Sequence, residues 1–193
     1  MYVLGGVQFF DDCPEAYKYC SSYSIKTKRW SKVESMNVAR YQAACTVFEG
    51  KVVVSGGFRR GFFKKSIKSV EAYDYYVNKW TNLPDMVEGR SDHAAVSMGN
   101  KMFVIGGDHN LNCEIFDSFS RNFCALKLEI PVLENKDSVI RAVCISSKIT
   151  IFYRVYGEAA VFGKCVYDTI EKNTSEFVYW KKYFSDFNCL KLS

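Results

Sequence analysis

Proline is scarce, with three in 193 residues. No proline-rich or serine-rich stretch divides the chain, so one domain with a real core is expected. Histidine is scarcer still: His93 and His109 are the whole supply. A zinc or copper centre built from several histidines has too few ligands. The eight cysteines form no CxxC pair. Most sit inside apolar runs such as AACTVF and AVCIS, where a thiol behaves as a small hydrophobe. A reduced, intracellular chain is expected, not a disulfide framework. A run of about 18 apolar residues is missing, so no membrane span is expected. The opening MYVLGG has no basic segment ahead of an apolar core and does not read as a signal peptide. The motifs GxSxG and GxxxxGK[ST] are absent, which removes serine-nucleophile and phosphate-loop chemistry. These absences point away from an enzyme. No metal and no cofactor is expected.

The chain is 48% hydrophobic and 24% charged, the balance of a soluble globular protein. Aromatics reach 16%, which favours strands. The net charge of +5 is mild and is explained by solubility alone. Lys64, Lys65 and Lys68 crowd close to Phe62 and Phe63. Basic and aromatic residues together can bind single-stranded nucleic acid, but such a run reads first as a solvated loop.

One signal stands out. Gly5-Gly6, Gly56-Gly57 and Gly106-Gly107 lie 51 and 50 residues apart. Each pair closes an apolar run: MYVL, VVVS, MFVI. Downstream, an aromatic and a polar residue precede a large aromatic by fixed steps. Tyr73-Asp74 leads Trp80, Tyr23-Ser24 leads Trp30, and Phe116-Asp117 leads Phe123. Upstream, ARYQAACTVFEGKVVVSGG aligns without a gap on GRSDHAAVSMGNKMFVIGG. A fourth, degraded copy runs from SVIRAVCISSKITIFYR to CVYDTIEKNT, with Tyr153-Arg154 in place of the glycines. Each copy reads as four short strands, with tight hairpins at Gly50-Lys51 and Gly99-Asn100-Lys101. Four-stranded sheets at a period near fifty residues are the blades of a propeller. The glycines let the second strand turn sharply away from a crowded centre, and the tryptophan spans the gap between sheets. Tyr23, Trp30, Tyr73, Trp80, Phe116 and Phe123 are therefore expected in the core.

These residues resemble the kelch repeat. The likeness rests on Gly56, Gly57, Tyr73, Asp74 and Trp80, and on partial copies around Gly5, Gly6, Gly106, Gly107, Asp117 and Asp168. With the MxxxR spacing of Met36 to Arg40 and Met86 to Arg90, the chain is most similar to the kelch-like proteins. The expected fold is all-β: a partial kelch β-propeller of about three and a half four-stranded blades. Residues 1–193 are expected to form one kelch-repeat domain. Its blades fall at 1–35 (incomplete), 36–84, 85–131 and 132–183 (degenerate), and 184–193 form a tail. The chain starts in the second strand of a blade, which reads as a fragment, a truncated product or a misplaced start.

The resemblance implies a protein-binding module in the cytoplasm. In kelch-like proteins a BTB and a BACK domain precede the propeller; the first binds a cullin, and the propeller captures the protein to be ubiquitinated. The chain would be the substrate-recognition part of a cullin-RING ubiquitin ligase adaptor, meeting cullin only through a BTB domain absent here. The alternatives are an actin-binding cytoskeletal protein and a fragment with no independent function. Neither nucleic acid nor membrane is expected as a partner. The family's partner face is formed by the loops after the glycines and the loops entering each first strand. Here these hold Gln8, Phe9, Phe58, Arg59, Arg60, Asp108, His109 and Asn110, and Arg40, Tyr41, Gln42, Arg90, Ser91, Asp92 and His93, with Asp137 and Ser138 in the matching place of the last copy. Arg40, Arg59, Arg60 and Arg90 could converge on an acidic peptide of the captured protein.

Overall fold

The computed structural model describes residues 1–10, 13–59, 65–107, 112–126, 128, 138–155 and 160–182. Arg60, Lys64, Asp108, His109, Asn110 and Asp137 lie outside the described residues. Fifteen strands make four antiparallel sheets among them. The first sheet holds β1 (Tyr2–Phe10), β2 (Cys13–Ser24) and β3 (Arg29–Val33). The second holds β4 (Ala44–Phe48), β5 (Lys51–Ser55), β6 (Val70–Asp74) and β7 (Lys79–Leu83). The third holds β8 (Ala94–Met98), β9 (Lys101–Ile105), β10 (Cys113–Asp117) and β11 (Asn122–Leu126). The fourth holds β12 (Ser138–Ile145), β13 (Lys148–Val155), β14 (Ala160–Asp168) and β15 (Asn173–Lys182). Within each sheet the strands pair in chain order. Connections therefore alternate between the two ends of every sheet.

The sheets stack, and an apolar cluster fills each junction, with a second, small cluster of Ala16, Tyr41 and Phe58 at the first. Cys20, Met36, Val54, Tyr73 and Trp80 seal the first junction. Phe48, Val53, Met86, Met102, Val104 and Phe116 seal the second. Phe103, Ile105, Ile140, Ile149 and Ile151 belong to the third. Cys113 and Cys165 lie in the third as small apolar side chains, and burial pushes each thiol up to about 11. The first strands of successive sheets are tied at their entrances. Asp92 N–H donates to Gln42 O at 3.0 Å, and Ile140 N–H donates to Asp92 O at 3.3 Å.

Two turns repeat with the sheets. Glu49 and Gly50 both take positive φ, 50° and 72°, as a two-residue hairpin with strand-matched twist requires. The hairpins joining third to fourth strands place Lys28, Asn78, Arg121 and Lys172 at φ between 52° and 56°.

Two expectations need correction. Trp30 is not core: it is 51% exposed, while Trp80 is 8% exposed. Among the described residues, no sheet covers the outer side of the first sheet, so the ring has only its own Tyr23 to lie on. The strand before Gly5-Gly6 does not end there. β1 runs through to Phe10 with a register shift between Leu4 and Gly6, because β2 is long enough to keep pairing beyond the bulge. In the fourth sheet Tyr153, in place of a glycine, is 3% exposed and lies over Gly163, its cross-strand partner. A Cβ on Gly163 would collide with that ring. The copy has lost the motif and still forms a complete four-stranded sheet.

Candidate protein-binding face

The glycines do more than turn the chain. Gly56 and Gly57 have φ of +61° and +92°, which side chains disfavour. A Cβ on Gly56 would run into Arg90 O, and one on Gly57 would lie 2.5 Å from Tyr41 O. The crowding comes from the segments that enter the first strands, not from the centre of the array. Gly57 N–H donates to Arg90 O at 2.7 Å, and Gly6 N–H donates to Arg40 O at 3.1 Å. Each of these glycine pairs thus receives the backbone that leads into the next sheet.

The arginines of those entering segments face inward. Arg40 is 1% exposed and Arg90 is not exposed at all. Arg40 Nη2 donates to Glu71 Oε1 at 2.6 Å, and Nη1 donates to Gly56 O at 2.8 Å and Ser69 O at 2.9 Å. The same carboxylate accepts from Asn37 N at 2.6 Å and Val38 N at 3.1 Å. The third sheet repeats the arrangement. Arg90 Nη2 donates to Glu114 Oε1 at 2.8 Å and Nη1 to Gly106 O at 2.8 Å. Val87 N and Glu88 N donate to the Glu114 carboxylate at 2.7 and 3.1 Å. Each pair is a buried charge-assisted clamp holding the entering segment against its own sheet.

This placement takes Arg40 and Arg90 off the expected partner face. A guanidinium committed to a buried carboxylate and two carbonyls has no fork left for an acidic peptide. Ser91 is likewise fully buried, and His93 is 3% exposed. His93 Nε2 lies 2.8 Å from Ser55 Oγ, linking β5 of the second sheet to the entrance of β8. Burial lowers the pKa of His93 to about 3, with Arg90, Arg141 and Arg40 acting in the same direction. The imidazole is neutral, and this serine–histidine pair is sealed from solvent. Tyr41 is also buried; its ring meets Phe58 at 5.5 Å, and the two backbones exchange hydrogen bonds of 3.1 and 2.9 Å.

What remains open at this end is a smaller set. Gln42 and Arg59 are exposed and Asp92 is half-buried. Gln42 Nε2 donates to Asp92 Oδ2 at 2.7 Å, so two successive sheets share one polar bridge. Gln42 and Asp92 hold φ of 53° and 50°. Phe9 is 66% exposed and Gln8 is exposed beside it. Next to this set lies a cleft of about 420 Å³. Tyr2, Leu4 and Gly6 of β1 form one wall, and Cys45, Val47, Val52 and Val54 form the other. It runs between the outer edge of β1 and the face of the second sheet.

Glu71 and Glu114 were missed in the sequence, although they carry the clamp. The signal was there: VEAYD and CEIFD each place one acid in an otherwise apolar strand, three residues before the aspartate.

The comparisons agree with this geometry. A family model described as the Kelch motif matches residues 39–87 and 89–121, the stretches that hold both clamps. Those two stretches are kelch repeats. It is similar to Kelch-like protein 6 of Homo sapiens, 34% identical over 110 residues, 57% of the chain and 16% of the relative. Kelch-like protein 38 of Rattus norvegicus is 30% identical over 121 residues, 62% of the chain and 19% of the relative. F-box/kelch-repeat protein SKIP30 of Arabidopsis thaliana is 42% identical over 65 residues, 34% of the chain and 18% of the relative. The chain thus matches less than a fifth of the length of these curated relatives. Kelch repeats form a protein-interaction module, and the four sheets are blades of a partial kelch propeller.

Proposed function

We propose that this kelch array is the substrate-recognition part of a cullin-RING ubiquitin ligase adaptor acting in the cytoplasm. The ligase role is supported by similarity to kelch-like proteins. One structural observation supports a capture face: buried clamps fix the loop backbones while Gln42, Arg59, Asp92 and Phe9 are left accessible beside an apolar cleft. A preformed face loses little conformational freedom on binding. Arg59 supplies a fork for a carboxylate and the cleft takes an apolar side chain of the captured segment.

The test is affinity capture from lysate with the protein and with its Arg59→Ala/Gln42→Ala variant. The variant should lose the captured proteins while melting at the same temperature, and the captured proteins should carry ubiquitin in a manner dependent on a cullin. Capture unaffected by the variant would move the face elsewhere. Capture without cullin-dependent ubiquitination would leave a binding module and remove the ligase role.

A further inference from the structure

The opposite end of the blades carries a second pattern. Its hairpins join third to fourth strands, and topology places them away from the glycine loops. In three of them the residue two after the aspartate is apolar and almost wholly exposed: Tyr76 at 83%, Phe119 at 85% and Ile170 at 77%. A solvated turn does not need an apolar side chain there, and none of the three belongs to a core cluster.

The tips are held firmly. The backbone N–H of Tyr76 donates to Asp74 Oδ1 at 3.0 Å, that of Phe119 to Asp117 Oδ1 at 2.8 Å, and that of Ile170 to Asp168 Oδ1 at 2.9 Å. Each turn is also tied to its neighbouring hairpin at the same end. Lys51 Nζ lies 3.3 Å from Asp74 Oδ2, Ser118 N donates to Asn100 O at 3.0 Å, and Thr169 N donates to Ser147 O at 3.0 Å. Cations accompany the apolar tips: Lys79 follows the first, and Arg121 and Lys172 follow the others by two residues. In the first sheet the matching turn offers Ile25, 81% exposed, with Lys26 and Lys28. Besides Asp74, Asp117 and Asp168, which hold the tips, the one acid within turn residues 25–28, 75–78, 118–121 and 169–172 is Glu171.

We propose that this end is a docking surface for an anionic lipid bilayer, with Tyr76, Phe119 and Ile170 entering the interface and Arg121, Lys172 and Lys28 meeting the headgroups. A protein partner would want one contiguous apolar patch ringed by polar groups. These tips stand on separate sheets, which pack about 10 Å apart, and each is flanked by charge. A bilayer needs no shape match: every tip finds acyl chains, and every neighbouring cation finds an anionic headgroup. The tyrosine pair Tyr75–Tyr76, with ring centroids 4.0 Å apart, suits the interfacial zone, where aromatic rings with a polar edge concentrate. The surface departs from the expectation of no membrane contact, and it leaves the capture face pointing away from the lipid.

The experiment is vesicle flotation of the whole 193-residue chain. The probes are phosphatidylcholine vesicles with and without phosphatidylserine. The chain should float with the phosphatidylserine vesicles and not with phosphatidylcholine alone. The triple variant Tyr76→Ser, Phe119→Ser, Ile170→Ser should reduce the floated fraction about tenfold. Arg121→Glu with Lys172→Glu should reduce it as much, and added salt should do the same to the parent chain. Thermal melts equal to the parent confirm that either variant is folded. A parent chain that stays at the bottom, or two folded variants that float like the parent, overturns the proposal. So does a protein captured by these tips from a lysate when no vesicle floats the chain.

Discussion

Trp80 and Trp30 hold the same place in two hairpins of one sequence, yet one is 8% exposed and the other 51%. Each lies on its own tyrosine with ring centroids 5.2 Å apart. The difference is the neighbour. Trp80 Nε1 donates to Glu34 O of the preceding segment at 2.8 Å, and the ring closes a cluster with Cys20 and Met36. Trp30 meets no such sheet among the described residues. The outer side of the fourth sheet repeats the lesson, with Val143 at 47%, Ile145 at 69% and Phe152 at 44% exposed. The two middle blades also carry the Arg–Glu clamp, whereas the end blades put Ser21 and Cys165 at the glutamate position. In a stacked array the motif is a contract between neighbours: a blade's own residues set its shape, and the next blade decides whether its apolar face is covered.

The sharpest way to break this contrast is to remove one half of a clamp. Glu71→Ala strands the Arg40 guanidinium in a site 1% exposed, with the N–H groups of Asn37 and Val38 unpaired. The expected loss is about 3–5 kcal/mol of unfolding free energy. Ser21→Ala, the same position in the first sheet, should cost less than about 0.5 kcal/mol. Urea melts of the two variants measure the difference. Arg40→Met combined with Glu71→Leu should recover most of the loss, because an apolar pair needs no partner charge. Two equal and small losses would show that the clamp does not hold the middle blades.

His93 separates the junctions by pH. Ala43 takes the matching position at the entrance of the second sheet and cannot titrate. The folded-state pKa of His93 falls from 6.5 to about 3. Below 6.5 the unfolded chain takes up a proton that the native chain refuses, so stability is full above that value and declines as pH falls toward 3. The slope is about 1.4 kcal/mol per pH unit, or about 3 kcal/mol between pH 6.5 and 4. His93→Ala should flatten that part of the curve in urea melts across the window. Parallel curves for parent and variant would mean that the ring is charged, or reached by water, in the folded state.

Much of this fold was legible because the repeat states itself three times. Gly56-Gly57, Tyr73-Asp74 and Trp80 give period, strand order and turn positions, and the strands follow. The candidate face was harder. Arg40 and Arg90 look like surface arginines beside a loop, since nothing local says where a guanidinium points. Their partners sit 31 and 24 residues downstream on another strand, and only the folded sheet brings them together. Exposure of Trp30 was illegible for a related reason: burial of a blade's face is a property of two blades, and a motif describes one. Tyr153 over Gly163 shows the reverse, a sheet whose contact survives after the motif that announced it has gone.

The smallest effect should come from Trp30. Large buried aromatics cost about 3–5 kcal/mol when cut to alanine, and Trp80 belongs to that class. Trp30 keeps half its surface in water and, among the described residues, donates to no neighbouring blade, so Trp30→Ala should cost less than about 1 kcal/mol. Solubility should move more than stability. Among the described residues β1 pairs with β2 alone, and exposed rings and aliphatic side chains lie on the two outer faces; both invite other copies to cover them. The chain is therefore expected to self-associate, and Trp30→Ala should lower light scattering at a given concentration while leaving the melting temperature within about 2 °C. A sharp monomer peak for the parent would remove the association. A loss at Trp30 as large as at Trp80 would mean that the tyrosine beneath each ring, and not the neighbouring blade, supplies most of the motif's stability.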